Sequence, residues 1–227
     1  GSIADVHHTA KGSGSAKTTT ASGNTAVSTD TSRFYGSSIK FDGTSDYLEC
    51  GNSTDYDMDG DFCAEAWVYV EAYTNDYAGI FGFSYDPEAS GWNVLMRSNG
   101  KPHINVDMTS SDVTGAVPLK TWTHLALVRS GTSSGNCGIY INGVKDATTI
   151  TKTGATGTPS GVECMIGTYP GAETTREFNG YIQDFRVYKG AAKYTANFTP
   201  PERGYLRDID SLVDSPTNYG TDSGLGG

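Results

Sequence analysis

Short stretches of this chain alternate between apolar and polar residues, and residues typical of turns separate them. The clearest stretch is FCAEAWVYVE at 62–71, in which every second residue from Phe62 to Val70 is apolar. Trp67 and Tyr69 fall on the opposite face, so the pattern predicts a central strand with one face in the core and the other lining a second surface. Core packing and ligand contact both remain open for Trp67.

Similar patterns predict further strands at 37–50, 78–84, 91–97, 103–107, 122–128, 138–141, 162–167 and 180–188. Asn99-Gly100 and Asn142-Gly143 are strong hairpin signals between such runs. No long stretch has helical periodicity, although residues 191–194 have room for about one helical turn before Pro200. Many short strands separated by turns favour a sandwich or a barrel.

The length of 227 residues indicates one β domain with tails. We place a flexible leader at 1–16, the domain at 17–206 and a linker to a further domain at 207–227. The leader begins with Gly1-Ser2, which is typical of a cleaved purification tag, and contains His7-His8, a pair that is more often disordered than metal-bound.

The net charge of −10 disfavours a nucleic-acid partner, because binding to phosphates needs clustered Lys and Arg. An acidic surface suits a solvated protein, and acidic clusters can also hold calcium. No apolar stretch approaches the ~20 residues that span a bilayer, so we expect no membrane insertion.

The four cysteines allow three pairings, and their spacing does not choose among them. None forms a C-x-x-C zinc pattern. Each cysteine lies in or beside an apolar run, which favours buried thiols. They are Cys50, Cys63, Cys137 and Cys164.

Four segments together resemble concanavalin A-like domains of the laminin-G-like type. The pattern G-x-I-x-D-x-R-x-Y at 180–188 resembles the closing strand of such domains. The segments at 37–49, 62–71 and 122–144 resemble earlier strands of the same family, in the same order. The resemblance implies an all-β fold, a two-sheet antiparallel jelly roll.

The sequence DSPTNYGTDSGLGG at the end of the chain resembles a connector found in tail-type proteins of marine phages. This narrower resemblance implies a module of a longer viral tail or surface protein, located on a virion or an extracellular surface. The phage-tail analogy also predicts a homotrimer within a fibre.

The loops of residues 72–92 are rich in rings and polar groups that suit a sugar site. Rings stack on the apolar faces of pyranoses, and amides and carboxylates bond to the hydroxyls. In the alternative interpretation the rings cap the ends of the sandwich. The candidate ligand-binding residues, for a cell-surface glycan or polysaccharide, are Tyr73, Asn75, Asp76, Tyr77, Tyr85 and Trp92.

The family resemblance also implies one structural calcium ion near the closing strand, with Asp42, Asp46 and Asp184 as candidate ligands. In the alternative, Asp42 and Asp46 cap their turn, and Asp184 pairs with Arg186 or Arg33. The D-x-D-x-D-G spacing at 55–60 lacks the bidentate Glu of an EF-hand and favours a polar loop.

Concanavalin A-like domains also occur as glycoside hydrolases and polysaccharide lyases, so the fold does not decide activity. A retaining hydrolase needs two carboxylates about 5–5.5 Å apart, and the E-x-D-x-x-E motif that supplies them is missing. The Q-[IV]-H strand of the lyases is missing too. The sequence therefore predicts a non-catalytic carbohydrate-binding or receptor-binding module, or, alternatively, a structural decoration domain without a small ligand.

Overall fold

The computed structural model describes residues 3, 16–84, 90–157, 159 and 161–202. Strands dominate these residues, with one turn of 3-10 helix at Thr54–Tyr56. No helix in these ranges is long and apolar enough to cross a membrane. The strands are β1 Thr20–Ser22, β2 Ala26–Ser28, β3 Ser38–Asp42, β4 Tyr47–Glu49, β5 Phe62–Val70, β6 Ala78–Ser84, β7 Gly91–Met96, β8 Pro102–Val106, β9 Thr109–Asp112, β10 Thr123–Arg129, β11 Cys137–Ile141, β12 Val144–Ile150, β13 Met165–Ile166 and β14 Asn179–Lys189.

Two seven-stranded antiparallel sheets make up the domain. Sheet A has the order β1-β4-β13-β6-β7-β8-β9, and sheet B has the order β12-β11-β10-β5-β14-β3-β2. This arrangement confirms the predicted two-sheet antiparallel jelly roll. Tyr85, His7-His8, the rest of the leader up to residue 15 apart from Ile3, and the tail beyond residue 202 lie outside the described residues.

The core lies between the two sheets, and β5 crosses its centre. The apolar residues of β5 from Phe62 to Val70 that share one face have no exposed surface, as the alternation predicts. They pack in one cluster with residues of sheet A such as Ile80, Trp92 and Ile104. Burial of each large side chain contributes about 1.5–3 kcal/mol, so the inner face is fully used for stability. The outer face of β5 thus carries the residues of this strand that are available for other chemistry.

The closing strand β14 joins both halves of sheet B, because it pairs with β5 on one side and β3 on the other. At Gly180 a Cβ atom would lie 2.1 Å from the carbonyl oxygen of Tyr69, so only glycine permits this approach. A bulge between Gln183 and Arg186 interrupts the ladder, and Asp184 there has a left-handed φ of 59°.

The family resemblance also implies one strand from Thr18 to Val27 beside the closing strand, and this expectation was wrong. The segment divides into β1, which pairs with β4 in sheet A, and β2, which pairs with β3 in sheet B. A turn that includes Gly23, with φ of 64°, carries the chain from one sheet to the other. Strand β3 therefore separates β2 from β14.

Two other predicted elements differ from the structure. The strand predicted at 162–167 contains only Met165–Ile166. The helical turn predicted at 191–194 is irregular, because Lys193 and Tyr194 are both held against sheet B by contacts distant in sequence.

Candidate functional site

Three aromatic side chains form a ladder across the outer face of sheet B. Tyr69 lies opposite Tyr181 in the register of β5 and β14, and Trp122 directly precedes β10 beside Tyr69. The ring centroids of Trp122 and Tyr69 are 5.6 Å apart, and those of Tyr69 and Tyr181 are 5.7 Å apart. Trp122 and Tyr69 are only half-buried, so part of each ring faces solvent.

A groove of about 520 Å³ lies beside this ladder. Its lining combines two indole rings with polar and charged groups of both signs. The principal lining residues are Arg33, Trp67, Thr121, Trp122, Asn142 and Glu202.

The two tryptophans of the groove differ in exposure. Trp67 is 6% exposed and is held by an edge contact with Phe34 at 5.8 Å and another with His124 at 5.2 Å. Trp122 is anchored by one hydrogen bond, in which its Nε1 donates to the Thr31 hydroxyl at 3.1 Å. Trp122 therefore supplies the accessible aromatic surface, and Trp67 supplies a rigid floor.

Arg33 stands over this floor. Its guanidinium carbon is 4.6 Å from the Trp67 ring centroid, a cation–π distance. The backbone N–H groups of Arg33 and Phe34 both donate to Gln183 Oε1 at 2.9 Å, which fixes the loop to the closing strand. In the described part of the chain no carboxylate forms an ion pair with Arg33.

Asn142 contributes a second donor at the tip of the β11–β12 hairpin. Its φ of 48° and the φ of 79° at Gly143 are the left-handed pair that this tight turn requires. Its side-chain oxygen accepts from the His124 N–H at 2.9 Å, which orients the amide. Asn142 as a whole is exposed and lines the groove.

Residues 190–200, which we call the C-terminal strap, cover part of the outer face of sheet B. Tyr194 and Phe198 stack with ring centroids 3.4 Å apart, and both contact His124 and Tyr140. The Phe198 N–H donates to the Gly143 carbonyl at 2.9 Å. The end of the strap, at Thr199 and Pro200, forms one wall of the groove.

A buried polar network lies under the strap. Glu65 is 1% exposed, and its Oε1 accepts from Lys193 Nζ at 2.6 Å and from the Tyr188 hydroxyl at 3.2 Å. His124 Nε2 is 3.4 Å from the other carboxylate oxygen. Burial alone would raise the pKa of Glu65, but the neighbouring His124 and Lys193 side chains outweigh it and lower that pKa to about 2. The network therefore holds a charged carboxylate in place.

The predicted sugar-binding residues that the structure describes do not all face solvent. Trp92 has no exposed surface, packs on Phe62 at 6.0 Å and donates its Nε1 to the Tyr56 carbonyl at 2.9 Å, so its selection as a stacking ring was wrong. The Tyr73 hydroxyl donates to the Val117 carbonyl. The Asn75 amide donates to the Glu177 carbonyl at 2.9 Å.

Asp76 and Tyr77 do lie together, at one end of sheet A. Asp76 holds Arg97 through two hydrogen bonds of 2.9 and 3.1 Å, and Arg97 stacks over the Tyr77 ring at 3.9 Å. Asp112 binds Arg97 from the other side at 2.6 and 2.8 Å. The polar groups of Asp76, Arg97 and Asp112 are therefore bonded to one another at this end of the sandwich.

The predicted calcium ligands are not brought together. Asp46 is fully buried and accepts backbone N–H groups of Asn24 and Asp42 on its two oxygens, which is turn capping. Asp42 lies opposite Asn179, and Asp184 is five residues further along β14, about 15 Å away at strand spacing. Asp184 pairs with Arg186, one of the alternatives considered above.

No cluster of three or more metal-binding side chains occurs in the described ranges, so the three-residue ligand set was wrong. Calcium binding itself stays a prediction, which melting curves with millimolar calcium and with chelator test. A calcium-dependent shift that persists in Asp184→Ala would locate the ion elsewhere.

The sequence prediction missed Arg33, Trp122 and Asn142 as site residues. The sequence predicted Trp122 as the first residue of a strand and Asn142 as a turn residue. The turn is correct, whereas the strand begins one residue later, at Thr123. Their convergence depends on the register of β10, β5 and β14 and on the loop that Gln183 fixes. Strand alternation alone gives one usable signal, because it places Trp67 and Tyr69 on the same outer face.

A comparison with protein families found one match. The model Laminin_G_3, described as Concanavalin A-like lectin/glucanases superfamily, matches residues 42–194, which is more than half of the chain. The chain belongs to the Laminin_G_3 family. A comparison with curated proteins found no match.

Several solved structures share the Laminin_G_3 fold of this chain. Domain 4 of AbnA, a GH43 extracellular arabinanase from Geobacillus stearothermophilus in complex with arabinotriose, has a TM-score of 0.57 at 20% identity, covering 78% of this chain and 84% of that chain. A proposed carbohydrate binding protein from Bacteroides ovatus has a TM-score of 0.50 at 19% identity, covering 76% and 43%. Trypanosoma rangeli sialidase has a TM-score of 0.50 at 13% identity, covering 66% and 25%.

These structures correct one expectation. The sequence lacks two catalytic motifs, and from this we predicted that the chain is not an enzyme. That prediction was wrong, because part of a sialidase chain and a domain of an arabinanase share its fold. This chain spans only about a quarter of the sialidase chain, so the likeness concerns one part of that enzyme. The physical reason is that a motif search tests only the catalytic arrangements it encodes.

Proposed function

We propose that this Laminin_G_3 domain binds carbohydrate in the groove beside Trp122. The observation that carries the proposal is the half-exposed ladder of Trp122 and Tyr69 next to the guanidinium of Arg33. An aromatic face packs against the C–H groups of a sugar ring, and N–H donors bind its hydroxyls. The groove supplies both within one opening of about 520 Å³.

The fold neighbours support this proposal. One is a domain crystallised with arabinotriose, and another carries a name that proposes carbohydrate binding. Their identities of 20% and 19% support the fold, and the residues of the groove come from this chain alone.

We further propose that the domain acts outside the cell, as part of a larger viral tail or surface protein that binds a cell-surface glycan. The resemblance of the final residues to a phage-tail connector supports this context. A homotrimer within a fibre belongs to the same proposal, and light scattering of the longer parent protein tests it.

A glycan array with purified protein tests the proposed function. We expect binding to a defined group of glycans by wild type, loss of that binding in Trp122→Ala, and retention in Tyr77→Ala, which alters the cluster at the end of sheet A. Loss in Tyr77→Ala with retention in Trp122→Ala would move the site to sheet A. Absence of binding on a broad array, together with self-association, would favour the structural decoration role.

A further inference from the structure

Cys50 directly follows β4 and Cys164 directly precedes β13, so the two cysteines lie opposite each other at one end of these neighbouring strands of sheet A. Glu49 at the end of β4 is in register with Met165 at the start of β13, and the two cysteines are the next residues outward. The Cys50 N–H donates to the Cys164 carbonyl at 2.7 Å, and the Cys164 N–H donates to the Gly51 carbonyl at 3.1 Å. The pairing of the two strands therefore continues through both cysteines.

Both thiols point into the core between the sheets. Cys50 is 5% exposed and Cys164 is fully buried, and both belong to the same apolar cluster. Opposed residues on antiparallel strands have Cα atoms about 4.5–5.5 Å apart, which lies within the 4.4–6.8 Å usual for disulfides. Burial, and then the neighbouring Cys50 thiol, raise the pKa of Cys164 well above its usual value, which agrees with two thiols in close contact.

The other two cysteines do not share this geometry. Cys63 lies on the outer face of β5, whereas Cys137 faces the core from β11, and β10 separates the two strands. Two strand spacings amount to about 9.5 Å, and the side chains lie on opposite faces of sheet B. Cys137 is also on the side of the sandwich where β11 contacts β8, away from β4 and β13.

We propose that Cys50 and Cys164 form a disulfide that links β4 to β13 when the protein folds in an oxidising environment. All four cysteines are free thiols in the structure, so the bond is a modification of this state. It is formed by exchange with a small disulfide such as oxidised glutathione. One thiolate attacks the small disulfide and releases one glutathione thiolate, and the second cysteine thiolate then displaces the other.

The two protons of the cysteine thiols finish on the two glutathione molecules, so the exchange needs no other oxidant. Because thiolates do the attacking and both thiols are buried, exchange is slow in the folded protein and faster during folding. The two cysteines are more than 100 residues apart in sequence, so the bond closes a long loop and restricts the unfolded chain strongly.

Oxidative refolding tests the proposal on the wild-type protein. The chain is refolded from denaturant with oxidised and reduced glutathione, alkylated with N-ethylmaleimide in denaturant so that buried thiols also react, and analysed by intact mass and peptide mapping. We expect two alkylated thiols, a linked peptide containing Cys50 and Cys164, and a Tm roughly 5–10 °C above that of the dithiothreitol-reduced protein.

Two variants separate this bond from general effects of cysteine loss. Cys63→Ala should keep the Cys50–Cys164 peptide and the Tm response to reductant, and Cys164→Ala should lose both. Four alkylated thiols after oxidative refolding of wild type would overturn the proposal. This outcome does not depend on whether the variants fold. A linked peptide that contains Cys63 or Cys137 in place of Cys50 and Cys164 would overturn it equally.

Discussion

At the scale of single residues, Glu65 shows how much a buried charge depends on its surroundings. The carboxylate is removed from water, and Lys193, Tyr188 and His124 supply the interactions that replace hydration. Arg186 lies 3.7 Å from the same oxygen that Lys193 binds. Removal of the carboxylate would leave the cations of Lys193 and Arg186 close together without the anion that lies near both.

We therefore expect Glu65→Ala to lower the free energy of unfolding by about 3 kcal/mol. Glu71→Ala, one residue after the same strand, is the matched control, because its side chain is 41% exposed and lies 3.7 Å from Lys120. The control should change stability by less than about 1 kcal/mol. Urea unfolding of the three proteins measures both values, and equal losses would contradict the account of Glu65.

The pKa of Glu65 predicts a pH dependence with a definite sign. Its folded-state pKa of about 2 lies below the usual 4.5, so its contribution is complete above about pH 4.5 and is lost as the pH falls toward 2. Asp76 and Asp146 also have pKa values lowered to about 2, so the difference between wild type and Glu65→Gln isolates Glu65. Unfolding measured from pH 6 to pH 2.5 should show that difference shrinking, and a constant difference would refute it.

Trp92 illustrates what sequence can and cannot say about one residue. The surrounding Tyr and Asp residues suggested a sugar site, but the alternation of Trp92, Val94 and Met96 already indicated one core-facing side of a strand. Strand alternation was the stronger signal. By contrast, no local pattern reveals that Arg33 lies over Trp67, because a glutamine 150 residues later holds that loop in place.

At the scale of elements, the C-terminal strap shows how tertiary contacts override local preference. Residues 191–194 could form a helical turn, but the stacked rings of Tyr194 and Phe198 and the bond from Lys193 to Glu65 hold the segment on sheet B. At Gly143 a Cβ atom would lie 1.9 Å from the Phe198 carbonyl oxygen. The hairpin and the strap therefore fit together only with glycine at this turn.

We expect Phe198→Ala to destabilise the protein by roughly 2–3 kcal/mol, because the ring is partly buried and loses its contacts with Tyr194, Tyr140 and His124. Thr195→Ala, an exposed change on the same strap, should have little effect. Thermal unfolding and urea titration of both variants measure the difference in their stability. A Phe198→Ala protein as stable as Thr195→Ala would mean that the strap does not contribute to the fold.

At the scale of the whole molecule, the sandwich was predictable and the groove was not. Alternation and hairpin signals are local, and they defined the jelly roll and the inner and outer faces of β5. The groove arises where the loop before β3, the β11–β12 hairpin and the strap converge on sheet B, which depends on contacts between distant segments. The family match confirms the fold over residues 42–194 but does not identify the ligand.

The central claim is that the Trp122 groove binds carbohydrate, and titration calorimetry tests it most directly. The best glycan from the array is titrated into wild type, Trp122→Ala and Met108→Ala, where Met108 is an apolar residue 73% exposed on a hairpin of the other sheet. We predict that Trp122→Ala weakens binding by at least about tenfold, equivalent to about 1.4 kcal/mol, while Met108→Ala matches wild type. Unchanged affinity in a correctly folded Trp122→Ala protein would contradict the account.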